Sequence, residues 1–169
     1  MLASVVHGQT ARAVEPAANA KLPVQVIDLR ELLLAAVRSG DINDLRAALE
    51  WNNAKPDLGL GTEPSDPISA LKAAAADSDG RETLAALGDI LDMPPAALPL
   101  GRDLENNLVY VWPYLAEKPI EALSAAEQVD LYRLVPAAKV AEMREKKRWT
   151  WWRLEIGADG IWRLFKKMD

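Results

Sequence analysis

The sequence predicts an α+β fold, with about six helices and a small antiparallel sheet of about three strands that ends in a C-terminal β-hairpin. Three observations carry this expectation. The first half of the chain repeats apolar residues at helical spacing. Strand-like runs of β-branched and aromatic residues are confined to the second half. The tetrapeptide Gly157-Ala158-Asp159-Gly160 joins two alternating runs near the C-terminus.

Composition sets the outer bounds. At 169 residues, half of them apolar and 27% charged, the chain is long enough to bury a core and ordinary enough in composition to fold around one. The formal charge of −5 gives no help toward neutralising phosphates, so no nucleic-acid partner is expected. The absence of cysteine removes disulfides, thiolate nucleophiles and zinc–thiolate sites. The single histidine, His7, lies outside the expected domain, which leaves that domain without Ser-His-Asp or Cys-His chemistry. No metal and no cofactor are expected: Gly59-Leu60-Gly61 lacks the following Gly-Lys-Ser/Thr of a phosphate loop.

Residues 1–23 read as a signal-peptide remnant or a flexible tail, and residues 24–169 as a single α+β domain. The small-residue pattern Ala11-Arg12-Ala13 fits a signal-peptidase site, although no basic leader precedes the short apolar stretch Leu2 to Val6. A periplasmic or secreted location follows, with a cytoplasmic protein bearing a tail as the alternative. No later run approaches the ~18 apolar residues of a membrane-spanning helix.

The first helix is expected near Asp28, where Asp28 and Glu31 form a capping-box-like pair ahead of Leu29, Leu32, Leu33, Ala36 and Val37. Ser39-Gly40 ends it. Asp41 then caps a second helix running to about Trp51, and the two form an αα-hairpin. Residues 52–66, rich in Asn, Gly, Pro and Asp, read as the longest loop of the domain, and loops of that length are often functional. Asp66-Pro67 opens a short helix to about residue 76. Another starts at Ser78 or Asp79 and stops before Met93-Pro94-Pro95. Asn107 to Tyr114 is a strand that Pro113 ends or confines to a sheet edge. Ser124 and Glu127 make a second capping box for a helix to about Leu134, and Pro136 opens one to about Lys147. The closing hairpin pairs Trp149–Ile156 with Ile161–Lys167. Gly160 takes the left-handed conformation, Ile156 faces Trp162, and Leu154 faces Leu164.

The runs AAVRSGDINDLRAAL (35–49), VYVWPYLA (109–116) and WRLEIGADGIWRLF (152–165) resemble an uncharacterised family of small exported proteins of alphaproteobacteria. That resemblance implies export and no particular activity. Ser39-Gly40-Asp41 and Asp159-Gly160-Ile161-Trp162 are also similar to turns of the nuclear transport factor 2-like cone fold. This second likeness implies an enclosed small-molecule pocket between the hairpin and the first helix. The cone fold calls for more and longer strands than the sequence offers, and its Asp/His pairs cannot be placed.

Several constellations invite chemistry. Tyr110, Trp112 and Tyr114 alternate along one strand, and Trp149 and Trp151 along another. Facing outward they would form a stacking platform for a sugar or peptide; facing inward they are core. Glu50, Glu63 and Asp66 near the long loop could supply a carboxylate pair for glycan hydrolysis. Asp41 and Asp44 could do acid–base work or simply complement a helix dipole. Asp77-Ser78-Asp79-Gly80 looks like the middle of a calcium loop but lacks its flanking acids, which leaves a capping role. The basic stretch Arg144 to Arg148 beside Trp149-Thr150-Trp151-Trp152 could meet an anionic surface, or could end a helix in solvent. The sequence thus points first to a non-catalytic exported binding or structural module, with a cell-wall glycan or another envelope protein as partner. The alternative is a cone-fold small-molecule-binding protein with weak carboxylate chemistry.

Overall fold

The computed structural model describes residues 21–61, 64–102 and 107–169. His7, Ala11-Arg12-Ala13 and Glu63 lie outside the described residues. Among those described, the fold is α+β: six α-helices and one antiparallel sheet of four strands, against the three or so expected.

Helix α1 spans Val24–Ser39, one turn earlier than the Asp28 capping box suggested. Pro23 occupies its N-cap with extended backbone, and Val26 extends the buried stripe of Leu29, Leu33 and Ala36 toward the N-terminus. Glu31 is therefore free of capping duty and pairs with Arg30 and Arg38 instead. Gly40 ends the helix in the left-handed conformation, its N–H donating to the Ala36 carbonyl. Asp41 caps the next turn as expected, accepting from the Asn43 backbone N–H at 2.9 Å. That turn is 3-10 over Ile42–Asp44, and the α-helix proper, α2, is only Leu45–Glu50.

Helix α3 (Pro67–Ala74) starts with Asp66 at N-cap and Pro67 at N1. Helix α4 spans Arg81–Leu91; Asp77 accepts from the Gly80 and Arg81 N–H groups at its start, so Asp77-Ser78-Asp79-Gly80 is a helix cap. Helix α5 (Ala125–Leu134) carries the complete Ser124/Glu127 capping box, and α6 (Ala137–Lys146) follows Pro136, which is its N-cap rather than its first residue.

The strands are β1 (Ala96–Pro99), β2 (Leu108–Trp112), β3 (Trp152–Gly157) and β4 (Trp162–Lys167), in that spatial order. Strand β1 is the one the sequence hides. Ala and Pro are poor strand formers, but an edge strand tolerates Pro, and pairing with β2 shapes it.

The hairpin forms with Gly160 at φ 76° and with Ile156 opposite Trp162, as expected. Beyond that pair the register departs. A bulge between Glu155 and Ile156 sets Glu155 opposite Leu164 and Leu154 opposite Phe165. Arg163 is the extra residue, and the slip moves Phe165 rather than Leu164 onto the face of Trp162. Both rings are fully buried, so the bulge adds an aromatic to the core.

The buried residues form two clusters. The larger joins α1, α2, α3 and α4 to one sheet face through Tyr110, Trp112, Leu154, Ile156, Trp162 and Phe165. The smaller gathers Met93, Ala96, Tyr114, Leu115, the inner sides of α5 and α6, and Trp149. Leu29 and Leu33 of α1 and Leu154, Ile156, Trp162 and Phe165 of the hairpin thus belong to one buried cluster.

Candidate functional site

The five aromatic candidates do not assemble. Tyr110 and Trp112 lie in the larger cluster, 4% and 1% exposed, with ring centroids 6.5 Å apart. Strand β2 is central, between β1 and β3, and its valines are buried too. Of the two alternatives for Tyr110 and Trp112, β2 shows the inward one, because both faces of this strand are covered. Tyr114 lies beyond the strand, in the 3-10 turn Tyr114–Glu117, and reaches the smaller cluster. Its hydroxyl donates to Asp130 at 2.9 Å; burial and that carboxylate push its pKa far above the usual tyrosine value. Trp149 is buried in the same cluster, its indole N–H donating to the Trp152 carbonyl. Only Trp151 is half-buried, and the Lys167 ammonium lies over its ring at 4.4 Å.

The other candidates resolve along similar lines. Asn43 donates to Asp41 from backbone and side chain, holding the carboxyl below its ordinary value, as an N-cap requires. In the basic stretch, Lys146 and Lys139 both pair with Glu142, whose pKa they lower to about 2. Arg144 donates to Gln128 and covers the ring of Tyr132. Lys146 and Arg144 thus have local partners, while Lys147 and Arg148 are exposed. Among the described residues no group of acids converges to hold a metal, and no helix is long and apolar enough to cross a membrane.

What the structure does build is a cleft of about 610 Å³ between α2 and the long irregular segment that follows it. The segment begins with a 3-10 turn, Trp51–Asn53, in which Asn52 and Asn53 take the left-handed conformation (φ 55° and 50°). Asparagine tolerates that region better than most residues, so the paired asparagines turn the chain away from α2. Leu49, Leu58 and Leu60 supply apolar wall, and Glu50, Lys55 and Asp57 supply charge.

Two polar latches hold the walls. Asp57 lies alongside the edge strand β4: its N–H donates to the Arg163 carbonyl and its carbonyl accepts from the Phe165 N–H, both at 2.9 Å. Its carboxylate accepts from Lys166 Nζ at 2.5 Å and from the Gly59 N–H at 2.9 Å, and these bonds, that of Lys166 foremost, keep its pKa low. The second latch joins α2 to the start of α3. Asp66 accepts from Ser69 Oγ at 2.5 Å, from Arg46 at 3.1 Å and from the Ile68 N–H at 3.3 Å. The Ser69 hydroxyl and the Arg46 guanidinium bring its pKa down to about 2. An acid so held is an anion near neutral pH, so Asp66 itself is not the proton-donating member of a glycosidase pair.

Sequence reasoning singled out this segment as the longest loop and named Glu50, Glu63 and Asp66, of which Glu63 lies outside the described residues. It missed Arg46, Asp57 and Lys166, because their roles arise from contacts across the fold: Asp57 and Lys166 are 109 positions apart.

Comparison with protein families, with characterised proteins and with solved structures returns no match.

Proposed function

We propose that the chain is a non-catalytic binding module that holds a small ligand in the cleft beside α2. The observation that carries this reading is the cleft itself. Its volume of about 610 Å³ lies in the range of small-molecule sites, and its lining combines leucines with a few charged groups. Its walls are latched to two separate elements, β4 and α3, so much of its shape is in place before a ligand arrives. The test is a screen of small apolar, cationic and anionic compounds by amide chemical shift on the labelled chain. Binding is expected to move the resonances of residues 46–61. A screen that moves none of them overturns the reading.

Export is the second part of the proposal. It is supported by the small-residue pattern around Ala11-Arg12-Ala13 and by the resemblance of three segments to exported proteins. In the periplasm the source of the ligand would be cell-wall glycan or an envelope protein. Intact mass of the protein from the native envelope fraction checks this: a mass for residues 14–169 is expected, and recovery of the full chain from cytosol overturns it.

A further inference from the structure

Among the described residues, Arg46, Lys55, Glu50 and Asp57 bring charge to the cleft, and they differ in whether they are engaged. Arg46 is bound to Asp66 at 3.1 Å, and Asp57 is bound to Lys166 at 2.5 Å. Lys55 is likewise engaged. Glu50, at the C-terminal end of α2, lines the same cleft and makes no hydrogen bond or ion pair among the described residues. Among the described charged residues lining the cleft, the one without such a partner is thus a carboxylate, beside an apolar wall that includes Leu49, Leu58 and Leu60. Glu50 is exposed, so its carboxylate is open to a cation entering the cleft, and a hydrogen bond between an ammonium and a carboxylate is stronger than one between neutral groups.

We infer that the cleft takes an alkylammonium ligand, its cationic head against Glu50 and its apolar body against Leu49, Leu58 and Leu60. The inference rests on the reading of the cleft as a binding site and adds the class of ligand. Such a group is offered both by a free amine and by the side chain of a lysine in a peptide.

The experiment titrates the labelled full chain with n-hexylammonium, hexanoate and hexanol and follows amide shifts. Saturable shifts at residues 46–61 are expected with hexylammonium, and weaker ones with the other two. Glu50→Gln should raise the hexylammonium Kd about tenfold, the equivalent of about 1.4 kcal/mol. Glu50→Lys should transfer the preference to hexanoate, and because Glu50 is exposed both variants should keep the fold. Nα-acetyl-lysine methylamide separates the sources: tighter binding than hexylammonium assigns a lysyl side chain, weaker binding a free amine, and both keep the inference. Hexanoate or hexanol binding as well as hexylammonium in this cleft, or a Glu50→Gln variant that binds unchanged, overturns the inference and leaves the binding module standing. No shift at residues 46–61 with any probe overturns both.

Discussion

The C-terminal hairpin and the segment 51–67 touch each other at Asp57, yet they are held by different forces. The hairpin places Leu154, Ile156, Trp162 and Phe165 in the core, each with 1% exposure or less. Among its described residues the segment places Ala54 in the core, rests Leu58 and Leu60 against it, and is fastened by polar links that include those of Asp57 to β4 and of Asp66 to Arg46. Burial of apolar area scales with stability, whereas exposed ion pairs contribute little. The contrast teaches where each property of the molecule resides: the hairpin sets how firmly the chain folds, and the segment sets the shape of the cleft.

Four measurements can break or sharpen that division. The largest effect should come from Trp162→Ala. Removing a ring with 1% exposure from the larger cluster should cost about 3–5 kcal/mol in urea unfolding, and a loss below about 1 kcal/mol would deny the hairpin its structural role. Next comes Gly160→Ala. The left-handed φ of 76° and the approach of a Cβ to within 3.0 Å of the Gln25 carbonyl oxygen make this turn intolerant of a side chain, and the expected loss is more than about 1 kcal/mol.

Asp57→Ala should cost no more than about 1 kcal/mol by the same unfolding assay, because its carboxylate is exposed and screened. It should nonetheless speed hydrogen exchange at the Gly59 amide and blunt the ligand-induced shifts of residues 46–61. A large stability loss with unchanged binding would invert the comparison. The smallest effect belongs to Asp66. Its pKa is depressed from 3.8 to about 2, so the link to Arg46 and Ser69 contributes fully above about pH 4 and is lost as pH falls toward 2. The carboxyl carbon shift of Asp66 should titrate near 2; a midpoint near 4 would show that the latch does not form.

The same division explains what could be read in advance. Local signals located the Ser124/Glu127 capping box, the Asp66-Pro67 helix start and the Gly160 turn, because each depends on residues within a few positions of one another. Strand β1 was not legible, since Ala96-Ala97-Leu98-Pro99 becomes a strand only beside β2. The bulge was not legible either. Simple alternation puts Leu164 on the face of Trp162, and Phe165 reaches that face only across the bulge, which no local pattern announces. In the site, composition marked the loop and pointed to three acids near it, Glu50, Glu63 and Asp66. The partner that ties down Asp57 lies on the last strand, beyond any local pattern.

The position of Asp57 has one more consequence. A terminal strand of a sheet ordinarily displays a row of open amides and carbonyls on which a neighbouring molecule can polymerise. Along the outer rim of β4, the Arg163 carbonyl and the Phe165 amide are already engaged by residue 57 of the same chain. A second copy arriving there in extended form finds the middle of the template occupied, so the residue that shapes the cleft also guards the protein against fibre growth from that side.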